Sequence, residues 1–197
     1  MTALPYAGVS PAPFTVARYA ALGEEDDRLQ TRFELQEGSI VVGPSARADH
    51  QMAMGRLIRQ LHEQLPANVA LLHAIDVDLQ LVPPDAPGFV RRPDLIVIRA
   101  DALERLRATD ELVTAADVIL VVEILAPTSV RTDTVIKRGE YADAGIPYYW
   151  IVDITAPASL TACHRTEEFG YQDPGAVTGE FRAIEPFPVQ IDLTKLG

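Results

Sequence analysis

Lysine is almost missing from this chain of 197 residues: Lys137 and Lys195 stand beside 15 arginines. Cationic positions are therefore filled almost wholly by arginine. Cysteine is scarcer still. The single Cys163 excludes an internal disulfide and any four-cysteine zinc site. Positive charge is short overall, with 17 Lys+Arg against 28 Asp+Glu and a net charge of −11. That excludes a generic, whole-surface nucleic-acid binder but leaves room for a local basic groove. No long apolar run exists. The most apolar stretch, residues 118–126, is nine residues long and contains Glu123, against about 20 needed to span a bilayer. Residues 1–14 lack the positive charge and apolar core of a secretory signal. A cytoplasmic protein without membrane contact is expected. The patterns GxxxxGK[ST], GxGxxG after a strand, GxSxG and HExxH are all absent. The usual signals of nucleotide, dinucleotide, serine-hydrolase and zinc-protease chemistry are thus lacking. His50, His62, His73 and His164 show no tight metal-ligand spacing, and no organic cofactor is implied.

What is present is an ordinary globular composition, 48% hydrophobic and 23% charged. It has no internal repeat and a length that suits one domain, residues 1–197. Pro5, Pro11 and Pro13 mark an irregular start. Residues 14–22 have helical spacing, with Thr15 a candidate N-cap. Glu24, Glu25, Asp26 and Asp27 form an acidic loop. Residues 32–35 and 39–42 read as a hairpin around Glu37-Gly38. Residues 46–65 form the best helix, with Met54, Leu57, Ile58, Leu61 and Leu65 on one stripe. Residues 75–81 alternate like a half-buried strand, and 95–98 form a short apolar run. Residues 101–107 suit a short helix. Residues 118–125 are nearly all β-branched or leucine, the pattern of a central strand buried on both faces. Residues 130–144 read as a helix and 148–154 as a strand. Short strands with turns at Gly170, Pro174-Gly175 and Gly179 follow. The order implies an α/β (α+β) fold, a mixed sheet flanked by helices.

Two carboxylates stand out by context. Glu123 lies within Val121-Val122-Glu123-Ile124-Leu125. A carboxylate in a doubly buried strand is costly unless it is paired or ligates a metal. A strand edge facing solvent or a buried ion pair are the plainer alternatives. Asp94 follows Arg92-Pro93 and opens an apolar strand, and Asp after Pro is also a common turn residue. Taken together, Pro93-Asp94, 28 residues, Glu123 and then Lys137 within one helix form a pattern. This pattern resembles the PD-(D/E)XK nuclease superfamily. More narrowly, it resembles a bacterial restriction-endonuclease family of that superfamily, long labelled as of unknown function. The resemblance runs from Phe33-Glu34-Leu35 and His50 through Arg92-Pro93-Asp94-Leu95-Ile96-Val97. It continues through the segment from Glu123 to Ser129, then Arg131, Asp133, Lys137, residues 141–146 and residues 149–153. The superfamily's lysine two positions after the glutamate is Leu125 here. The family this chain resembles carries it on the following helix, where Lys137 matches.

The resemblance implies a restriction-endonuclease-like sheet and a metal-dependent endonuclease acting on DNA. Asp94 and Glu123, with the backbone carbonyl of Ile124, suit a hard cation such as Mg²⁺ or Mn²⁺. Lys137 then orients the attacking water or stabilises the phosphorus centre. Its plain alternative is an exposed lysine paired with Asp133, four residues earlier. Glu34 matches as a third acidic group near the metal, with a solvent-facing strand position as the alternative. His50 also matches, and equally suits a core-edge histidine. Val135, Gly139 and Ala142 take one side of the helix, with Asp133 and Lys137 opposite, facing a cleft. Arg91 and Arg92 adjoin Asp94, and Arg131 and Arg138 flank Lys137, where a nucleic-acid phosphate would arrive. Ordinary solvated arginine is the alternative for that cluster. A homodimer is expected, because one such site cuts one strand. Tyr148, Tyr149 and Trp150 give it weak support as interface aromatics. Two rival functions stay open: a degenerate nuclease fold used as a binding or assembly module, and a metal-dependent hydrolase of a non-nucleic phosphoester.

Overall fold

The computed structural model describes residues 12–25, 33–43, 47–109 and 111–197. Pro5, Pro11, Asp26 and Asp27, named above at the irregular start and the acidic loop, lie outside these residues, as do the first positions of the ranges 32–35 and 46–65. Helix α1 (Val16–Glu25) is capped by Thr15, whose Oγ1 accepts the Arg18 N–H at 3.3 Å. Strands β1 (Phe33–Gln36) and β2 (Ser39–Val42) form the expected hairpin. Its turn residues, Glu37 and Gly38, both take positive φ, 49° and 73°. That geometry matches the twist of the flanking strands. Gly38 is demanded twice over, since a Cβ there would fall 2.6 Å from the Cβ of Pro13.

Helix α2 (Ala48–His62) buries His50, Ala53, Leu57 and Leu61 along one stripe. Next come β3 (Val69–His73), β4 (Val77–Asp78), β5 (Val90–Arg91), β6 (Leu95–Arg99) and α3 (Ala100–Ala108). The alternating segment 75–81 narrows to β4. Ala74 and Gln80 take positive φ (50° and 52°) and end the extended run on either side. Strands β7 (Val113–Thr114) and β8 (Val118–Ile124) follow. A π-helical segment, Thr132–Lys137, then runs into α4 (Arg138–Asp143). The chain finishes with β9 (Tyr148–Asp153), β10 (Ser159–Thr166), β11 (Gly170–Gln172), β12 (Ala176–Thr178), β13 (Glu180–Ala183) and β14 (Val189–Asp192).

Among the described residues the strands make three sheets. The largest runs β11-β10-β9-β8-β6-β3, with β12 also on β10. Its β8–β9 pair is parallel and β6–β8 antiparallel. A second sheet runs β2-β1-β5-β4-β7, and β13 pairs with β14. This is the mixed α+β architecture that the element order implies.

Side chains of the central strands alternate between two cores. Leu95, Val97, Leu120, Val122, Trp150 and Val152 pack beneath α2 and the β13–β14 hairpin. Ile96, Ile98, Val121, Tyr149 and Ile151 pack on the other face with Tyr141 and Ala142 of α4. Burial on both faces is why β8 reads as an unbroken apolar run, each such side chain contributing roughly 1.5–3 kcal/mol. Tyr149 and Trp150 are buried in these cores, Trp150 edge-on to Phe181 at 5.1 Å. Tyr148 donates its hydroxyl to Glu185. Tyr149 and Trp150 therefore serve the interior, while Tyr148 remains part-exposed. No helix among the described residues is long and apolar enough to cross a membrane.

Candidate active site

The antiparallel register that pairs Leu95 with Val122 continues by one step to set Asp94 opposite Glu123. Directly opposed residues project from the same face, with Cβ atoms about 4.5–5.5 Å apart. That face is the one packed against α4. Asp94 is held at the start of β6, where its Oδ2 accepts the Ile124 N–H at 2.8 Å. The His50 ring, fixed in the first turn of α2, lies on the same atoms. Its Nε2 is 3.0 Å from Asp94 Oδ2 and 3.1 Å from the Ile124 carbonyl oxygen. A carbonyl oxygen only accepts, so His50 carries its proton on Nε2.

Glu123, 3% exposed, meets the helix that follows its strand. Its Oε1 accepts from Lys137 Nζ at 2.9 Å and from the Tyr141 hydroxyl at 3.0 Å. Lys137 is buried rather than solvated. Its Nζ also lies 2.8 Å from Glu34 Oε1 and 3.8 Å from Asp133 Oδ1. Asp133 is itself held by the Ser129 hydroxyl at 2.5 Å. The π-helical geometry of this segment is a rare variant often found at functional sites. Asp133 and Lys137 face inward as expected. Val135, at 61% exposure, lies on the opposite side as expected but faces solvent instead of packing.

The electrostatics are those of a site with too many carboxylates. Burial pushes the Glu123 carboxyl upward; Lys137 pulls it down, and Asp94, Asp133 and Glu34 push it up again. Burial likewise raises Asp133, against Lys137 and Ser129. Burial alone would lower Lys137, but Glu123, Glu34 and Asp133 hold its ammonium protonated. Glu34 titrates low despite burial, because Lys137 and Arg91 both stabilise its charged form. Such a surplus of buried negative charge is what a divalent cation neutralises. Among the described residues no three His, Cys, Asp or Glu side chains converge to hold a metal. A cation would therefore rest on Asp94, Glu123 and the Ile124 carbonyl, with water filling the rest. That donor set suits Mg²⁺, which keeps several waters and takes one or two carboxylates.

Glu34, His50, Arg92, Asp94, Glu123, Ile124 and Lys137 all line one cavity of about 770 Å³. The four expected phosphate-binding arginines divide. Arg92 lines the cavity but is clamped by Asp76 at 2.6 and 2.7 Å. Arg91 is wholly buried and spent on Glu34 and Glu140, so it has no surface to offer a phosphate. Arg138 turns to Asp173 and the Tyr171 carbonyl, and Arg131, though exposed, does not line the cavity. Arg47 and Arg56 line it instead, which sequence reasoning missed. Tyr141 and Glu140 were missed as well. The spacing of Tyr141, one turn after Lys137, was the available signal.

Among solved structures, one chain resembling this protein is described as a "putative nuclease belonging to DUF820" from Anabaena variabilis. The two share 13% identity over 93% of this chain and 97% of that one, with a TM-score of 0.69. At that identity the likeness is one of fold. No curated protein matches the chain. The Uma2 family, described as "Putative restriction endonuclease", matches residues 17–194. That span holds every site residue named above and nearly the whole chain, and the protein therefore belongs to the Uma2 restriction-endonuclease-like family of the PD-(D/E)XK superfamily.

Proposed function

We propose that this nuclease-family protein is a Mg²⁺- or Mn²⁺-dependent endonuclease that hydrolyses DNA phosphodiesters. The observation that carries the proposal is the placement of Asp94 opposite Glu123 at a cavity wall, with the Lys137 ammonium on Glu123. A bound cation supplies charge neutralisation and a water of lowered pKa. The chain's own groups do the rest. Asp94, fixed by the Ile124 N–H, and Glu123, fixed on one oxygen by Lys137 and Tyr141, present preset acceptors. Lys137 stays protonated, so it acts as a hydrogen-bond donor and a positive charge toward the phosphoryl group, and not as a base. The test is nicking of supercoiled and linear DNA with Mg²⁺ or Mn²⁺. Wild type should cut and Glu123→Ala should not. Cutting by both would remove Glu123 from the reaction.

A second proposal, hydrolysis of a non-nucleic phosphoester, is favoured by the pairing of the cavity-lining Arg92 with Asp76. With Arg92 so engaged and Arg138 turned to Asp173 outside the lining, the cavity has few unengaged cations for a long polyanion. A wild type that cleaves a small phosphodiester but no DNA would select it.

A further inference from the structure

The structure assigns Glu34 to the lysine and not to the cation: we propose that Glu34, Arg91 and Glu140 form a positioning ring that aims Lys137. The inference rests on the reading of Lys137 as the site's ammonium. Both oxygens of Glu34 are already taken by N–H donors. Oε2 accepts from Arg91 Nη1 at 2.9 Å. Oε1 accepts from the Arg92 backbone N–H at 3.1 Å and lies 2.8 Å from Lys137 Nζ. A carboxylate so engaged has little left for a metal.

The ring closes through the helix. Arg91 donates from Nε and Nη2 to the two oxygens of Glu140, at 2.6 and 2.7 Å. This bidentate fork fixes direction as well as charge. Glu140 sits three residues after Lys137, so the loop runs Lys137, Glu34, Arg91, Glu140 and back along the backbone. It joins β1, β5 and α4, with charge alternating at each step. Arg91 has no exposed surface, and the ring is sheltered from solvent screening. Glu123 approaches Lys137 from outside the ring, so one ammonium links a rigid frame to the candidate cation ligand.

Two lysines make the test direct, since lysine labelled with ¹³C and ¹⁵N gives only the Lys137 and Lys195 side-chain signals. Lys195, on the surface beside Asp192, is the internal control. Glu34→Gln and Glu140→Gln should each move the Lys137 signal and speed its N–H exchange at least tenfold, with Lys195 unchanged. Mn²⁺ affinity of Glu34→Gln should stay within about threefold of wild type, while single-turnover DNA cleavage slows. An unmoved Lys137 signal in Glu34→Gln, or a tenfold loss of Mn²⁺ affinity, overturns the assignment. If Glu34→Gln does not fold, Glu140→Gln and Arg91→Gln decide by the same signals. Wild type that binds Mn²⁺ yet cuts no DNA defeats the nuclease proposal, and the lysine signal still settles Glu34.

Discussion

Lys137 reaches Glu123 across 2.9 Å from a helical segment 14 residues downstream, and the Tyr141 hydroxyl shares the same oxygen. The pair is unequal. Lys137 has three carboxylate neighbours, while Glu123 is one of several carboxylates crowded around one ammonium. Removing either partner should therefore have opposite effects on stability. Lys137→Met leaves the acids facing one another and should cost about 3–5 kcal/mol. Glu123→Gln relieves the surplus and should hold or raise the melting temperature, while nicking falls by about 10²-fold or more. Thermal melts beside nicking assays check both. Equal destabilisation by the two variants would contradict the surplus.

The same surplus predicts that a divalent cation stabilises the fold. At 100 times its dissociation constant the cation adds about 2.7 kcal/mol. For a chain of this size that is roughly 5–10 °C in melting temperature. Ca²⁺ should produce the shift in wild type and not in Asp94→Asn. DNA affinity should rise with Ca²⁺ and fall with added monovalent salt. A wild-type melt indifferent to Ca²⁺, Mg²⁺ and Mn²⁺ would argue against a cation at this site.

Far from the cavity, Asp117 sets a pH dependence of its own. Burial pushes its carboxyl up, but Arg105 at 2.7 Å and the Thr114 N–H and hydroxyl at 3.1 and 2.8 Å hold it low. An unfolded Asp titrates near pH 3.9. The folded group titrates lower, so its stabilisation is complete above about pH 5 and is lost as pH falls through the folded value. Asp117→Asn should cost about 1–3 kcal/mol at neutral pH. Urea titrations of both proteins should converge toward acid pH. A constant gap down to pH 2 would refute the linkage.

Double-strand cutting by a one-strand site predicts a two-fold dimer. Light scattering at micromolar concentration should give about twice the chain mass, alone or on DNA. A monomer in both conditions would confine the protein to nicking.

Much of this was legible in the sequence. The run from Val118 to Ile124 announces a doubly buried strand, and Glu123 inside it announces an expensive carboxylate. Asp94 and Lys137 emerge from the pattern they make with it. Arg91 was not legible. Beside Pro93-Asp94 it has the look of a surface cation, and only the meeting of β1, β5 and α4 brings Glu34 and Glu140 around it. Strand β3 escaped because Val-Ala-Leu-Leu-His lacks alternation, and its pairing with β6 is a long-range event. Val135 lies opposite Asp133 and Lys137 as the spacing places it, but the charged side is the one that is buried, because Lys137 is paired there with three carboxylates.

That π-helical segment has a consequence for insertions and deletions. A π turn carries one residue more than an α turn, so Thr132–Lys137 stores a surplus of chain length. Losing one residue between Thr132 and Ile136 would let it tighten to an ordinary helix. Lys137 would keep its phase with α4, and a residue lost between Asp133 and Lys137 would leave them three positions apart instead of four, still neighbours on one helix face but turned relative to each other. One residue lost from β8 would instead turn Glu123 to the opposite side of the sheet. Indels in the helix thus retune which acids surround the ammonium, whereas indels in the strand abolish the constellation.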